Sequence, residues 1–439
     1  MKKTLLLTSL VASMVAMAGT TGTLTVSSDS STTVTKKDQI ATEVKTTKVT
    51  PKVVLDMKVK DTGFGFGGEY YLKELKPLSA DALNLEAIGN ASKGNVWAKY
   101  ELPEIHGVKS YVKGTFKHED ENELIGELDL KYDYKGYMLG LNSETTVPLF
   151  VQNKFVTSTH TASVSKEKVS VLSDVKGSVA VKHAYKESAN NAKDAFKSVE
   201  VKAEAQYKEV KDLNVKGEVA VKYNKETGAE YESINGLKTK ADAKPSVLDT
   251  YKLTAEYKGV KNLTLTGIGE IKHFAILDDT PAHLVEYGLN LKADYMPIEN
   301  LTLTANGLFY GQHNASASKT ETDKTEVKTA DVLPNNGYVK LVAGAKYDYK
   351  VTDKFTVTPE GTVAYTAANI NEVPAVALST LVLTPKVSAE YKVSDALSLG
   401  GSVETPVKFS NVSKTYTKEA SFGYKNTTVK TNLNLKYTW

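Results

Sequence analysis

The chain has 439 residues, 24% of them charged, with no cysteine, and all 55 of its basic residues are Lys. The missing cysteine excludes disulfide scaffolds and Cys-ligated metal centres, and the missing arginine excludes bidentate guanidinium recognition of phosphate or guanine. Against 52 Asp and Glu the basic excess is too small for a nucleic-acid protein, and past residue 18 no apolar run approaches the roughly 18 residues that a membrane-crossing helix needs.

In chain order, Lys2 and Lys3, the apolar run Leu5 to Val15 and the small residues Ala16 and Ala18 around Met17 read as a secretory signal peptide, 1–18, cleaved after Ala18. Residues 19–52, rich in Thr, Ser and Lys and poor in large apolar side chains, read as a flexible lead. Beyond them the pattern has period two. In Val199 to Tyr207, Val199, Val201, Ala203, Ala205 and Tyr207 alternate with Glu200, Lys202, Glu204 and Gln206. After Lys208 to Asp212 the alternation resumes through Leu213, Val215, Val219, Val221 and Tyr223, against Asn214, Lys216, Glu218 and Lys222. Segments Gly126 to Tyr134 and Tyr287 to Tyr295 behave alike, so successive side chains on each strand fall on an apolar and a charged face.

Five strand ends share a motif, a Tyr followed six positions later by Leu or Phe across a short polar turn: AQYKEVKDL, AEYKGVKNL, ADYMPIENL, YDYKVTDKF and AEYKVSDAL. Their tyrosines, Tyr207, Tyr257, Tyr295, Tyr349 and Tyr391, are unevenly spaced, which excludes a fixed-period solenoid or propeller and implies tight turns at one end and variable loops at the other. Turns at Leu102 to Gly107, Tyr134 to Tyr137 and Ser165 to Lys168 fit the tight side; Lys73 to Gly94, Asn224 to Pro245 and Gln312 to Asn336 are polar loops. Eight turns, with one strand before and one after, give about 18 strands, within 16 to 20, with both termini at the turn side. Val53 to Lys60 and Tyr416 to Tyr424 are the segments that could add strands.

A single sheet of that size closes into a barrel to remove its edges, so the chain reads as an all-β, antiparallel up-and-down barrel over 53–439. The apolar rows, including Leu128, Val219, Leu265, Leu291 and Leu399, would face lipid, and Tyr134, Tyr207, Tyr257, Tyr295, Tyr349 and Tyr391 would form an aromatic girdle. The opposite rows carry Glu127, Asp129, Lys131, Lys202, Glu204, Lys216, Glu218, Lys222, Lys252, Glu256, Glu270, Lys272, Lys292, Asp294, Lys346, Asp348, Lys386 and Glu390. Charges at that density need water, and a barrel of 16 to 18 strands leaves an aqueous channel. Lys109, Lys113, Lys117, Lys176, Lys182 and Lys436 tilt the inward balance toward weak anion preference.

The terminal strand places Leu433, Leu435, Tyr437 and Trp439 on one face. With the signal peptide and the short-turn, long-loop rhythm, it resembles the outer-membrane β-barrel porins of Gram-negative bacteria over about Val53 to Trp439. The resemblance implies export to the outer membrane with a periplasmic lead, and Leu433, Leu435, Tyr437 and Trp439 as the assembly signal read by the barrel-assembly machinery. It also implies passive diffusion of ions and small hydrophilic solutes, with outer-membrane lipid as a partner and homo-oligomerisation left open. In that family the third loop often folds into the pore; here it would be the short Pro148 to Lys154.

Other chemistry is thin, and no cofactor, metal or catalytic site is expected. Gly63, Gly65 and Gly68 match G-x-G-x-x-G, but no helix pattern follows them. His106, His118, His160, His183, His273, His283 and His313 lack ligand spacing, and His118 to Glu123 reads as a solvated hairpin loop. A barrel-anchored surface adhesin or antigen acting through its loops is the alternative. An outer-membrane enzyme would need a His converging with a Ser or Asp at the loop rim.

Overall fold

The computed structural model describes residues 20–37, 41–72, 92–118, 122–149, 155–186, 193–225, 230–232, 234, 238–240, 245–277, 282–314, 337–370, 376–411 and 422–439. Every regular element among them is a strand: β1 Thr20–Lys37, β2 Ala41–Val59, β3 Phe64–Leu72, β4 Ser92–Ile105, β5 Val108–His118, β6 Asn122–Tyr134, β7 Tyr137–Leu149, β8 Val156–Val169, β9 Leu172–Lys186, β10 Lys193–Tyr207, β11 Leu213–Asn224 and β12 Glu230–Glu232. There follow β13 Lys238–Lys240, β14 Ser246–Val260, β15 Leu263–Ile276, β16 Ala282–Tyr295, β17 Leu301–Asn314, β18 Gly337–Tyr347, β19 Tyr349–Thr352, β20 Phe355–Ile370, β21 Val376–Lys392, β22 Leu397–Glu404, β23 Val407–Ser410 and β24 Gly423–Thr438.

Each stave of the barrel pairs antiparallel with the next, and β24 returns to β1, so the sheet has no free edge. β18 with β19 forms one stave, and so does β22 with β23, whose ladder is interrupted at Thr405 and Pro406, where proline has no N–H to donate. β12 and β13 pair only with each other. The barrel therefore has twenty staves. At a spacing of about 4.8 Å and a tilt of about 40° they enclose a cylinder roughly 40 Å across at the backbone.

One expectation is corrected. Residues 19–52 are not a flexible lead as far as they are described: β1 and most of β2 lie there, with β1 held on both sides, by β2 and by β24. A lack of apolar residues is no bar to a barrel stave, which needs ladder bonds and β-branched residues such as its threonines rather than a core. The twenty staves fall within the expected 16 to 20; they exceed 18 because a ninth tight turn, Lys60 to Gly63, separates β2 from β3. The loop at 150–154 is consequently the fourth, not the third. Residues 1–18, the loop residues 73–91, 315–336 and 412–421, and most of Pro148 to Lys154 lie outside the described residues.

The tight turns explain the repeat. His106–Gly107 and Lys135–Gly136 have both central residues at positive φ (49° and 80°, 53° and 79°), the left-handed twist that two-residue hairpins require. In the longer motif the residue before Leu takes that conformation, as Asp212, Asn262 and Asn300 do at φ 62°, 61° and 67°. The other two copies use a hydroxyl instead: Thr352 Oγ1 accepts from the N–H groups of Lys354 and Phe355 (3.2 and 3.0 Å), and Ser394 Oγ from those of Ala396 and Leu397 (3.3 and 3.1 Å). Ser165 to Lys168 is not a turn; β8 continues through it, and the reversal comes at Ser170, φ 56°.

The start of β1 and the end of β24 meet at the turn side. Gly22 and Trp439 exchange two backbone hydrogen bonds of 3.1 Å, and the Trp439 indole donates from Nε1 to Thr20 Oγ1 at 3.3 Å. A Cβ on Gly22 would lie 2.8 Å from the indole, so glycine makes room for the ring. Farther up the seam Asn432 Nδ2 donates to Asp29 Oδ1 at 2.7 Å, and the Thr33 and Thr428 hydroxyls lie 3.1 Å apart.

Candidate functional site

The register sorts the side chains into two cylinders. Leu128, Val219, Leu265, Leu291 and Leu399 lie in the outer one, 36 to 48% exposed, in rows that continue across strands, as in Leu265 opposite Ala293 and Leu291 opposite Gly267 and Gly307. Tyr134, Tyr257, Tyr295, Tyr349 and Tyr391 are exposed on the same face near the turns. Tyr207, the last residue of β10, continues their row, although after Tyr257 the strand runs on to Val260. Phe355 packs edge-on against Tyr391, and Tyr437 stacks on Trp439 at 5.7 Å, so the terminal aromatics join this ring.

At the loop end the outer rows turn polar. Asp249, His273 and His283 converge there from β14, β15 and β16. Asp249 Oδ2 lies 3.1 Å from His273 Nδ1, and His273 Nε2 lies 3.1 Å from His283 Nδ1. The two imidazoles are coplanar within 4° with centroids 5.4 Å apart, an end-on arrangement joined by one N–H···N bond, with no space for a metal between the nitrogens. Ser143 Oγ and His160 Nδ1 are 2.9 Å apart in the outer row on β7 and β8. Sequence spacing could not show these convergences, because they arise across strands. Among the described residues no three His, Asp or Glu are disposed to hold a metal ion. Twelve residues separate His283 from Tyr295 on one stave, a rise of about 31 Å along the barrel axis, close to the apolar band of about 25 Å that lipid requires between polar borders.

The inner cylinder carries the charges. Glu127, Asp129, Lys131, Lys202, Glu204, Lys216, Glu218, Lys222, Lys252, Glu256, Glu270, Lys272, Lys292, Asp294, Lys346, Asp348, Lys386 and Glu390 all fall on the face opposite the exposed Leu, Val and Tyr. Glu204 and Glu218 are direct register partners, a like-charge juxtaposition. Lys216 bridges both, at 3.3 and 2.6 Å, and Lys202 lies 3.4 and 3.7 Å from them. One row alternates in sign from strand to strand, Lys346, Glu360, Lys386, Glu404 and Lys430, with pairs of 3.3 Å (Lys386 to Glu360) and 2.9 Å (Lys430 to Glu404). Lys292 holds Asp294 at 2.7 Å, and Lys52 holds Glu69 at 2.7 Å. Lys109, Lys176, Lys182, Lys222, Lys252, Lys340 and Lys436 face inward with no ion-pair partner among the described residues, and so do the carboxylates Asp56, Glu123, Glu144, Glu200 and Glu390.

The glycine-rich segment has a packing role. Gly65 and Gly67 face inward beneath the indole of Trp97, whose ring lies 3.6 and 2.8 Å from where their Cβ atoms would be, and Lys113 Nζ stands 5.8 Å from that ring. Tyr111 donates a short hydrogen bond to Glu127 and has Lys99 Nζ 4.1 Å from its ring centre. Neither aromatic has a period-two signature that separates it from an outward residue, so sequence reasoning missed both.

No family model matches the sequence, and neither does any curated protein. Among solved structures the chain is similar to OccK5 (OpdH) of Pseudomonas aeruginosa, at 9% identity over 96% of this chain and 98% of that one, TM-score 0.45. It is also similar to OccAB3 of Acinetobacter baumannii, at 10% identity over 96% and 100%, TM-score 0.42. Outer-membrane expressed OmpT of Vibrio cholerae is similar at 11% identity over 96% and 97%, TM-score 0.36. These likenesses are of fold alone, that of an outer-membrane β-barrel, and carry no argument about solute, partner or assembly.

Proposed function

We propose that the chain is an outer-membrane porin through which ions and small hydrophilic solutes diffuse passively along a water-filled lumen. The observation that carries this reading is the closed twenty-stave ladder with its charged residues on the inner face and its exposed Leu, Val and Tyr on the outer one. Backbone donors and acceptors are satisfied within the ladder, so a barrel of this kind crosses lipid while its inner side chains stay hydrated. In this reading the inner Lys, Asp and Glu line the pore, the turn-side tyrosines sit at the membrane interface, and the strand ending in Trp439 is read during assembly. Inward lysines and carboxylates outside ion pairs are nearly balanced, so the anion preference proposed here is small.

Purified protein in a planar bilayer tests this. Stepwise ohmic conductance is expected, with a small reversal potential of anion-selective sign under a salt gradient that shrinks as salt rises. A silent protein that is nonetheless folded would overturn the reading, and strong cation selectivity would overturn the charge assignment.

A further inference from the structure

A cylinder roughly 40 Å across at the backbone would keep an opening of some 25 to 30 Å after its side chains are counted, too wide to sort small solutes by size. Among the described residues one segment leaves the loop region for the inner wall. The connection from β11 to β14 carries the small hairpin of β12 and β13, and Ile234, between those two strands, reaches β16, two staves beyond the point where the chain re-enters the wall at β14.

The contact is specific. Ile234 N–H donates to Glu286 Oε2 at 3.0 Å, and the Tyr310 hydroxyl donates to Glu286 Oε1 at 2.5 Å, with Gln312 Oε1 2.9 Å from the same hydroxyl. Glu286 is 1% exposed, in a lumen whose ion-paired carboxylates keep 15% or more of their side chains open to water. The Ile234 side chain sits where Gly288 leaves space: a Cβ there would lie 2.7 Å from Ile234 Cγ2. At the same level the inner wall changes from charged to apolar, with Leu248, Phe274, Ile276 and Leu284 packed together and Phe274 and Leu284 buried. A wet wall has no use for such a cluster, whereas a wall beneath a docked segment does.

We infer that the β12–β13 hairpin is the strap that narrows the channel, with Ile234 as its anchor, Gly288 as its socket and Glu286 as its latch. The inference rests on the porin reading and assigns the constriction to this connection. A two-stranded ribbon about 10 Å thick would occupy about a quarter of the open section, so freeing it should raise unitary conductance about 1.3-fold or more.

The absence of native cysteine makes the contact directly testable. From the Gly288 geometry, the Cβ atoms of an Ile234→Cys, Gly288→Cys pair would be no more than about 4.2 Å apart, within the range a disulfide spans. The pair should cross-link, seen as loss of maleimide-reactive thiols; the oxidised pair should conduct like wild type, and reduction should shift it toward the enlarged conductance. Glu286→Ala and Ile234→Asp, confirmed as folded by resistance to unfolding on unheated gels, should show the enlarged conductance and admit larger neutral sugars in liposome swelling. Free thiols in the cysteine pair, or wild-type conductance in both folded latch variants, would overturn the strap while leaving the porin reading standing. A wild-type protein with no conductance would instead remove the porin reading and the constriction with it, even if the cross-link formed.

Discussion

Leu289 lies on the outer face of β16 six residues from His283 and six from Tyr295, which puts it at the middle of the apolar band that those residues border. It is 44% exposed, and its register partners are Gly269 and Phe309, neither of which offers a polar group. A Lys at this depth has about 16 Å of barrel height between it and either interface, beyond the reach of its stem. Leu289→Lys should therefore cost the full midplane penalty, about 2 to 4 kcal/mol, or roughly 30- to 1,000-fold in the folding equilibrium. Asn290 is the sharpest control: one residue on, it points inward, and its Oδ1 is buried without a hydrogen-bond partner. Asn290→Lys removes that orphan acceptor and extends an ammonium into water, so its effect should stay within about 1 kcal/mol. Tyr295→Lys, at the border, should cost about 0 to 1 kcal/mol of charge penalty. Urea titrations of folding into lipid vesicles, read by tryptophan fluorescence, would give all three. Equal losses at Leu289 and Asn290, or a larger loss at Asn290, would refute the assignment of the outer face to lipid.

Removal of Trp439 should leave the protein unassembled in cells, because it deletes both backbone bonds to Gly22 together with the indole; normal surface levels of the truncated chain would refute its role in assembly. Trp439→Ala keeps the backbone pair and should assemble, with a folded state weaker by about 2 to 4 kcal/mol in the same vesicle titration. Asn262 holds the left-handed position of its turn, so Asn262→Val should destabilise by about 1 to 2 kcal/mol while Asn262→Gly stays close to wild type, a contrast lost if the turn does not need positive φ.

Strand identity was legible wherever the alternation was strong, as in β10, β11, β14 and β16, because one face is apolar and the other charged along the whole strand. The turn side was legible too, since its geometry demands Gly, Asn or Asp at positive φ, or a Ser or Thr that caps the turn. β1 and β2 escaped because a search for apolar rows undervalues threonine, which satisfies a stave through shape and ladder bonds. The inner charges followed from parity alone. Glu286, Gly288 and Tyr310 did not: their function as a socket depends on Ile234, which is 52 residues from Glu286 along the chain and meets it only after the loop folds inward.

A lumen built with lysine as its only permanent cation has a particular electrostatic character. The ammonium is a compact charge on a flexible stem, and in the inner rows it bends to the nearest carboxylate, at 2.6 Å for Lys216 and Glu218 and 2.7 Å for Lys292 and Asp294. Charges so paired act as short dipoles, whose field falls away faster than that of single charges and is further screened over about 10 Å at 0.1 M salt. Across a cylinder roughly 40 Å wide at the backbone, a solute near the axis lies beyond that distance from any wall, so the bare barrel can hardly discriminate by charge. Selection then belongs to the level where the section is smallest, beside the β12–β13 hairpin. Substitution of paired lysines far from it, such as Lys430 with Glu404, should move ion selectivity less than substitution of Lys272, which stands opposite Glu286 in the register. Reversal potentials of Lys430→Gln and Lys272→Gln compare the two levels, and a larger shift for Lys430→Gln would place the selective zone elsewhere on the wall.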